Sequence, residues 1–204
     1  MSDARTKTPA VHLIRHGETE WAKAGKYTGT TEQPLTDEGI QQAISIATVF
    51  VGPGKKLDPE RIGHVIVSPR LRALQTLERL GLGPNKLVLE DVAEWDYGNY
   101  EGLKRREIVD LRRKQGLGEK WSVWSHGCEG GEYEDFQVLP FLQYLLIPAF
   151  PPLPRSVPQM TERVDRVIRR ILELQCNTGA KDIVIVLLRR QFLGVVCVKL
   201  IESN

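Results

Sequence analysis

The alternation of apolar and polar positions divides the chain into short strands and amphipathic helices. A polar leader, Met1 to Pro9, is followed by Ala10-Val11-His12-Leu13-Ile14, a run that stops at a charged Arg-His-Gly. It has the look of a buried parallel strand ending in a loop. His12 within it is expected to be a packing or edge residue. Thr36 precedes Asp37 and Glu38 as a helix N-cap, and Ile40, Ala43, Ile44 and Ala47 repeat at helical spacing. His64 to Val67 predicts a second strand, Ser68-Pro69 a turn, and Arg70 to Leu80 a helix. Lys86 to Leu89 predicts a third strand. Glu94 to Gly102 reads as a Trp-, Tyr- and Gly-rich loop, and Lys104 to Lys114 as a charged helix. A long helix from about Gln159 to Leu174 carries Met160, Val164, Val167, Ile168, Ile171 and Leu172 on one stripe, and Asp182 to Leu187 is the fourth strand.

Strands alternating with helices imply a three-layer α/β/α sandwich with a mainly parallel central sheet. Two stretches fit it badly. Tyr133 to Arg155 is apolar but broken by Pro140, Pro148, Pro151, Pro152 and Pro154, so a loop or added flap is expected there. The tail from 187 to 204 diverges and leaves little room for another strand. With 204 residues, one domain spanning 1–204 is the expectation.

Composition narrows the function classes. The chain is 41% apolar and 26% charged, with 28 Lys and Arg against 26 Asp and Glu, a net charge of +2. That balance forces neither a nucleic-acid nor a membrane partner, and neither is expected. The local runs Lys104-Arg105-Arg106 and Arg112-Arg113-Lys114 are expected to be solvated helix face. Cys128, Cys176 and Cys197 are scattered and without CxxC spacing, against both a disulfide framework and a zinc site. With no apolar leader and no membrane-length apolar run, a cytoplasmic location is expected.

Three strand ends carry polar groups suited to phosphate, and ligands bind open α/β sheets at such ends. At the first, Arg15 stands beside His16, with Gly17 allowing close backbone approach. At the second, Ser68-Pro69-Arg70 leads into a helix whose free N–H groups favour an anion, with Arg72 two residues on. A guanidinium donates two parallel hydrogen bonds to phosphate and keeps its charge. A neutral histidine can attack phosphorus, and the departing alkoxide then needs a proton. Glu94, after the third strand, is the first candidate donor; Asp96 and Glu18 are weaker ones.

These residues resemble the histidine phosphatase (phosphoglycerate mutase-like) family. The match is carried by Leu-Ile-Arg-His-Gly-Glu-Thr-Glu-Trp, Pro-Leu-Thr-Asp-Glu-Gly, Val-Ser-Pro-Arg-Leu-Arg-Ala-Leu-Gln-Thr and Glu-Trp-Asp-Tyr-Gly-Asn-Tyr-Glu-Gly, in family order from about residue 10 to 132. The resemblance implies His16 as the phosphorylated nucleophile, Arg15 and Arg70 as phosphate ligands with Gly17, Thr28 and Gly29 lining the site, and Glu94 as proton donor. It implies no metal and no cofactor, with a small phosphorylated metabolite as partner; the oligomeric state is left open. Within the family, Trp21 to Gly29 and the Trp-Asp-Tyr-Gly-Asn-Tyr-Glu-Gly segment look most like the fungal sedoheptulose-1,7-bisphosphatase type. That points to sugar-phosphate hydrolysis, with a mutase as runner-up.

One departure stands out. The family ends its last parallel strand in a His-Gly pair, whereas here Asp182 to Val186 runs into Leu187-Leu188-Arg189-Arg190. Arg189, or Leu188 in a shifted register, takes the histidine's place, so a catalytically impaired phosphate-binding protein is the alternative. Removing 133–155 would join Gly131-Glu132 to Ser156, the Gly-Glu-Ser this family commonly shows. A retained intron or faulty gene model is therefore the expected origin of the insert.

Overall fold

The computed structural model describes residues 9–82, 85–132, 157–177, 179 and 181–187. Its four described strands, β1 (Val11–Arg15), β2 (Ile62–Val67), β3 (Lys86–Val88) and β4 (Asp182–Leu187), form one parallel sheet in the order β1-β4-β2-β3. The helices are α1 (Glu20–Lys23), α2 (Asp37–Phe50), α3 (Leu71–Leu80), α4 (Arg105–Lys114), α5 (Val123–His126) and α6 (Val157–Asn177). The mixed α/β fold with a parallel open sheet agrees with the expectation, and predicted bounds shift by a few residues at most. The short α1 and α5 were not foreseen. The Pro-rich segment 133–155 and the tail beyond Leu187 lie outside the described residues.

Backbone contacts group the chain into two compact units. The first comprises 1–20, 32–93 and 164–204 and holds the sheet. Its central strand, β4, reads Ile183-Val184-Ile185-Val186, all fully buried, because a strand covered on both faces and flanked on both edges needs apolar groups throughout. The core joins Ile14, Val65, Val67, Val184 and Val186 to Ala73, Leu77 and Leu80 of α3. Thr36 caps α2 as expected: its hydroxyl oxygen accepts from the Gly39 N–H at 3.0 Å. At the amino edge of the sheet, the buried Asp182 carboxylate accepts from Ala10 N–H at 2.8 Å and lies 3.2 Å from the Arg61 guanidinium. His12 Nε2 stands 3.6 Å from the same carboxylate, a packing position within β1.

Among its described residues, the second unit, 21–31 with 94–163, contributes no strand to the sheet and has an aromatic interior. Trp95, Tyr97, Tyr100 and Trp121 are buried, and Tyr27 packs against Tyr97 and edge-on against Trp121 at centroid distances of 4.9 and 5.2 Å. The 21–31 segment is tied down by backbone bonds from Tyr27 N–H to Leu103 carbonyl at 2.9 Å and from Gly102 N–H to Tyr27 carbonyl at 2.8 Å. Most of the α4 basic runs are solvated as predicted. Arg112 is the correction: it is buried and donates to the Tyr100 hydroxyl at 3.2 Å and the Leu117 carbonyl at 3.4 Å. Helical spacing shows which residues share a face; it cannot show that a guanidinium will find buried acceptors.

Candidate active site

β1 delivers Arg15 and His16 to the carboxyl edge of the sheet. Arg15 ends the strand exposed, and the next residue, His16, is buried. The His16 Nδ1 lies 2.6 Å from the carbonyl oxygen of Gly17. A carbonyl can only accept, so Nδ1 carries the hydrogen and the neutral ring keeps its lone pair on Nε2. Gly17 is itself clamped. Its N–H donates to Thr76 Oγ1 at 3.1 Å, and Thr76 in turn donates to the Arg72 carbonyl at 2.7 Å. A Cβ at 17 would stand 2.3 Å from the Gly39 carbonyl oxygen, so the close approach that demands glycine here is to α2. Glu18 is engaged with the same helix: its Oε1 accepts from the Thr36 hydroxyl at 3.1 Å.

β2 delivers Ser68 and Arg70 to the same edge. Since β1 and β2 flank β4, pairing Arg15 with Leu187 and Val67 with Val186, their ends stand two strand spacings apart, roughly 10 Å. The sequence after Leu187, with Leu188 and Arg189, lies outside the described residues. Arg70 is partly buried, with its terminal nitrogens 3.9 Å from Glu32 and 3.6 Å from Glu90. The first N–H of α3, at Leu71, donates to Glu32 Oε2 at 2.7 Å, so this helix start already faces one anionic group of its own chain. Arg72 lies on the buried face of α3.

Glu94, Thr28 and Gly29 belong to the second unit. Glu94 is 3% exposed, and its Oε1 accepts from the Trp95 N–H at 2.9 Å. Thr28 is buried, its hydroxyl 3.5 Å from the Lys26 carbonyl. Gly29 donates its N–H to both carboxylate oxygens of Glu101, at 2.8 and 3.0 Å, and a Cβ there would meet the Trp95 carbonyl oxygen at 2.1 Å. The glycine is therefore required by packing, and Glu101 holds the loop by also accepting from Thr31 N–H at 3.0 Å. Asp96 Oδ1 accepts from Gly98 N–H at 3.0 Å, a local turn bond. Sequence reasoning brought His16, Arg15 and Arg70 to one sheet edge, as found, but missed Glu32 and Glu101. Only spatial neighbours reveal these two carboxylates. Among the described residues no group of three or more His, Cys, Asp or Glu could hold a metal ion. No described helix is long and apolar enough to cross a membrane.

The family model described as histidine phosphatase superfamily (branch 1) matches residues 11–138. The chain belongs to this superfamily. This histidine phosphatase superfamily member is 41% identical over 136 residues to the sedoheptulose 1,7-bisphosphatase of Saccharomyces cerevisiae, a match covering 61% of the chain and 50% of the relative. It is 36% identical over 174 residues to an acid phosphatase of Mycobacterium tuberculosis, covering 85% of the chain and 67% of that protein. The chain thus spans half to two thirds of these relatives' lengths. A solved Mycobacterium tuberculosis open-reading-frame product superposes with a TM-score of 0.67 at 31% identity, covering 95% of this chain and 80% of that one. Phosphoglycerate mutases are also among the superfamily member's relatives.

Proposed function

We propose that this protein is a cytoplasmic phosphomonoesterase, one histidine phosphatase domain, that hydrolyses a small sugar phosphate through a phosphohistidine at His16. The observation that carries the reading is the fixed tautomer of His16: a buried ring whose Nδ1–H is committed to the Gly17 carbonyl, leaving Nε2 as the nucleophile. Nε2 attacks phosphorus, the ester P–O bond breaks, and Glu94 gives its proton to the leaving oxygen. Water then attacks the phosphohistidine, Glu94 recovers a proton from it, and inorganic phosphate leaves with the histidine regenerated. Arg15 and Arg70 offset the charge of the transferring group, which places the release of Glu32 from Arg70 on the path to substrate binding. Gly17 holds the ring, and Thr28 and Gly29 shape the loop that faces substrate. The 41% identity to the yeast enzyme makes sedoheptulose 1,7-bisphosphate the first substrate to assay.

Rapid quench with labelled substrate is expected to trap an acid-labile phosphoenzyme that His16→Ala abolishes, together with at least a ~10³-fold loss of turnover. Absence of label and of hydrolysis across sugar bisphosphates, phosphoglycerates and p-nitrophenyl phosphate would sink the enzyme reading. The second reading, a phosphate-binding protein of low turnover, is favoured by one observation: Leu188-Arg189 stands where the family carries its second histidine. Loss of one such donor costs ~10²- to 10³-fold in rate. Arg189→His is expected to raise kcat if that position is the equivalent one.

A further inference from the structure

Helix α3 begins without a side-chain cap of its own. Its N-cap residue is Arg70, whose guanidinium can only donate, so the first helical N–H, at Leu71, needs an acceptor from elsewhere. Glu32 supplies it. Its Oε2 accepts from the Leu71 N–H at 2.7 Å, while Oε1 lies 3.9 Å from Nη1 of Arg70. One carboxylate thus bridges a helix-start N–H and a guanidinium, a pair of groups suited to a phosphate.

The fit to Arg70 is loose. Its contacts to Glu32 at 3.9 Å and to Glu90 at 3.6 Å are ion pairs too long to be hydrogen bonds, and its Nε is buried with no hydrogen-bond partner among the described residues. The guanidinium is therefore offset in charge but keeps donors unused. A three-oxygen anion seated there makes bonds that the Glu32 carboxylate does not. The backbone beside Glu32 is docked independently of that carboxylate: the Leu35 N–H donates to Gln75 Oε1 of α3 at 2.9 Å, and the Thr36 N–H to the Glu18 carbonyl at 3.0 Å. The Glu32 side chain is half exposed, so it can turn into water while its segment stays in place.

We infer that Glu32 is an internal competitor for the phosphate seat: its carboxylate occupies the Leu71 N–H and faces Arg70 until a phosphoryl group displaces it, and returns when that group leaves. The inference rests on reading Arg70 as a phosphate ligand. A seat filled about nine-tenths of the time by an internal group weakens any incoming anion about tenfold. Substrate and product meet the same factor, but a sugar phosphate is held through its other groups as well. Inorganic phosphate has the seat alone, so Glu32 makes the product a weak inhibitor and speeds its departure.

The test titrates the full chain with inorganic phosphate, followed by calorimetry and by the Leu71 amide and Glu32 carboxyl-carbon resonances. In the unchanged chain both resonances should move to saturation at one Kd, because phosphate replaces the carboxylate on that N–H. Glu32→Gln keeps an oxygen for the Leu71 N–H and loses the charge. It is expected to bind phosphate about tenfold tighter, with the Ki for phosphate and the KM for sedoheptulose 1,7-bisphosphate lowered in step. A residue that only capped the helix would change stability and leave all three constants alone. Glu90→Gln removes a charge no farther from Arg70 but not bonded to Leu71, and should change the Kd less than about threefold. An equal effect from Glu90→Gln would show that net charge sets the affinity, and overturns the inference. Leu71 and Glu32 resonances that stay fixed at saturating phosphate also overturn it, with no variant needed, so the test survives a Glu32→Gln chain that fails to fold. Arg70→Gln separates the two readings. A Kd weakened by Arg70→Gln and unmoved by Glu32→Gln removes the competitor and leaves Arg70 as ligand; a Kd unmoved by Arg70→Gln overturns both.

Discussion

The two units of this protein solve the same problem, holding polar groups still, by opposite means. In the first, position comes from repetition. Parallel strands end at one edge, so residues following β1 and β2 arrive there because the register leaves no choice. In the second, position comes from individual contacts. Gly29 lies against the Trp95 carbonyl, Gly98 against Glu129, Gly131 against Asp96, and a carboxylate, Glu101, ties down the loop through the N–H groups of Gly29 and Thr31. A repetitive scaffold spreads its stability over many interchangeable apolar residues; a contact-built one concentrates it in a few that cannot be exchanged.

That contrast predicts a ranking. Gly98 has φ of +48, and a Cβ would stand 2.3 Å from both the Glu129 carbonyl oxygen and the Gly131 nitrogen. Gly98→Ala is expected to cost about 4 kcal/mol or more in urea unfolding, since strain and backbone overlap add. Ile66, fully buried in β2, should cost about 3 kcal/mol on truncation to alanine. If deleting three carbons from the centre of the sheet proves worse than adding one to the loop, the contrast is wrong. Thr36→Ala removes the cap of α2 and should cost about 1 kcal/mol, read as a matching loss in urea midpoint. Arg113, exposed and paired with Asp110 and Glu119, should change stability by less than about 0.5 kcal/mol when replaced by alanine. A larger change would show that the surface of α4 bears load the contrast denies it.

The same difference decides what could be read in the amino-acid sequence. β1, β2, β4, α2 and α3 were legible because apolar spacing of two or of three and four is a local signal. Arg15, His16 and Arg70 came with them, since a residue after a strand inherits the strand's destination. Glu94 was legible by its place after β3, although nothing in the sequence told how deeply it would be buried. Arg112 looks like a solvated charge on a helix and is buried, because its acceptors, the Tyr100 hydroxyl and the Leu117 carbonyl, lie off its own helix. Glu32 and Glu101 were missed for the same reason. An acidic side chain on a loop carries no mark of whether it will face water, a helix N-terminus or a guanidinium.

The place of β4 between β1 and β2 has a consequence for synthesis. β4 ends at residue 187, yet it pairs with both earlier strands. Until it emerges from the ribosome, β1 and β2 each present an edge of unpaired N–H and C=O groups, open to pairing with other chains. The sheet closes only by joining segments about 170 residues apart, which makes folding slow and places the aggregation risk in the interval before β4 has been made. Chains ending before Asp182 should therefore accumulate as insoluble material, however sound their first two strands.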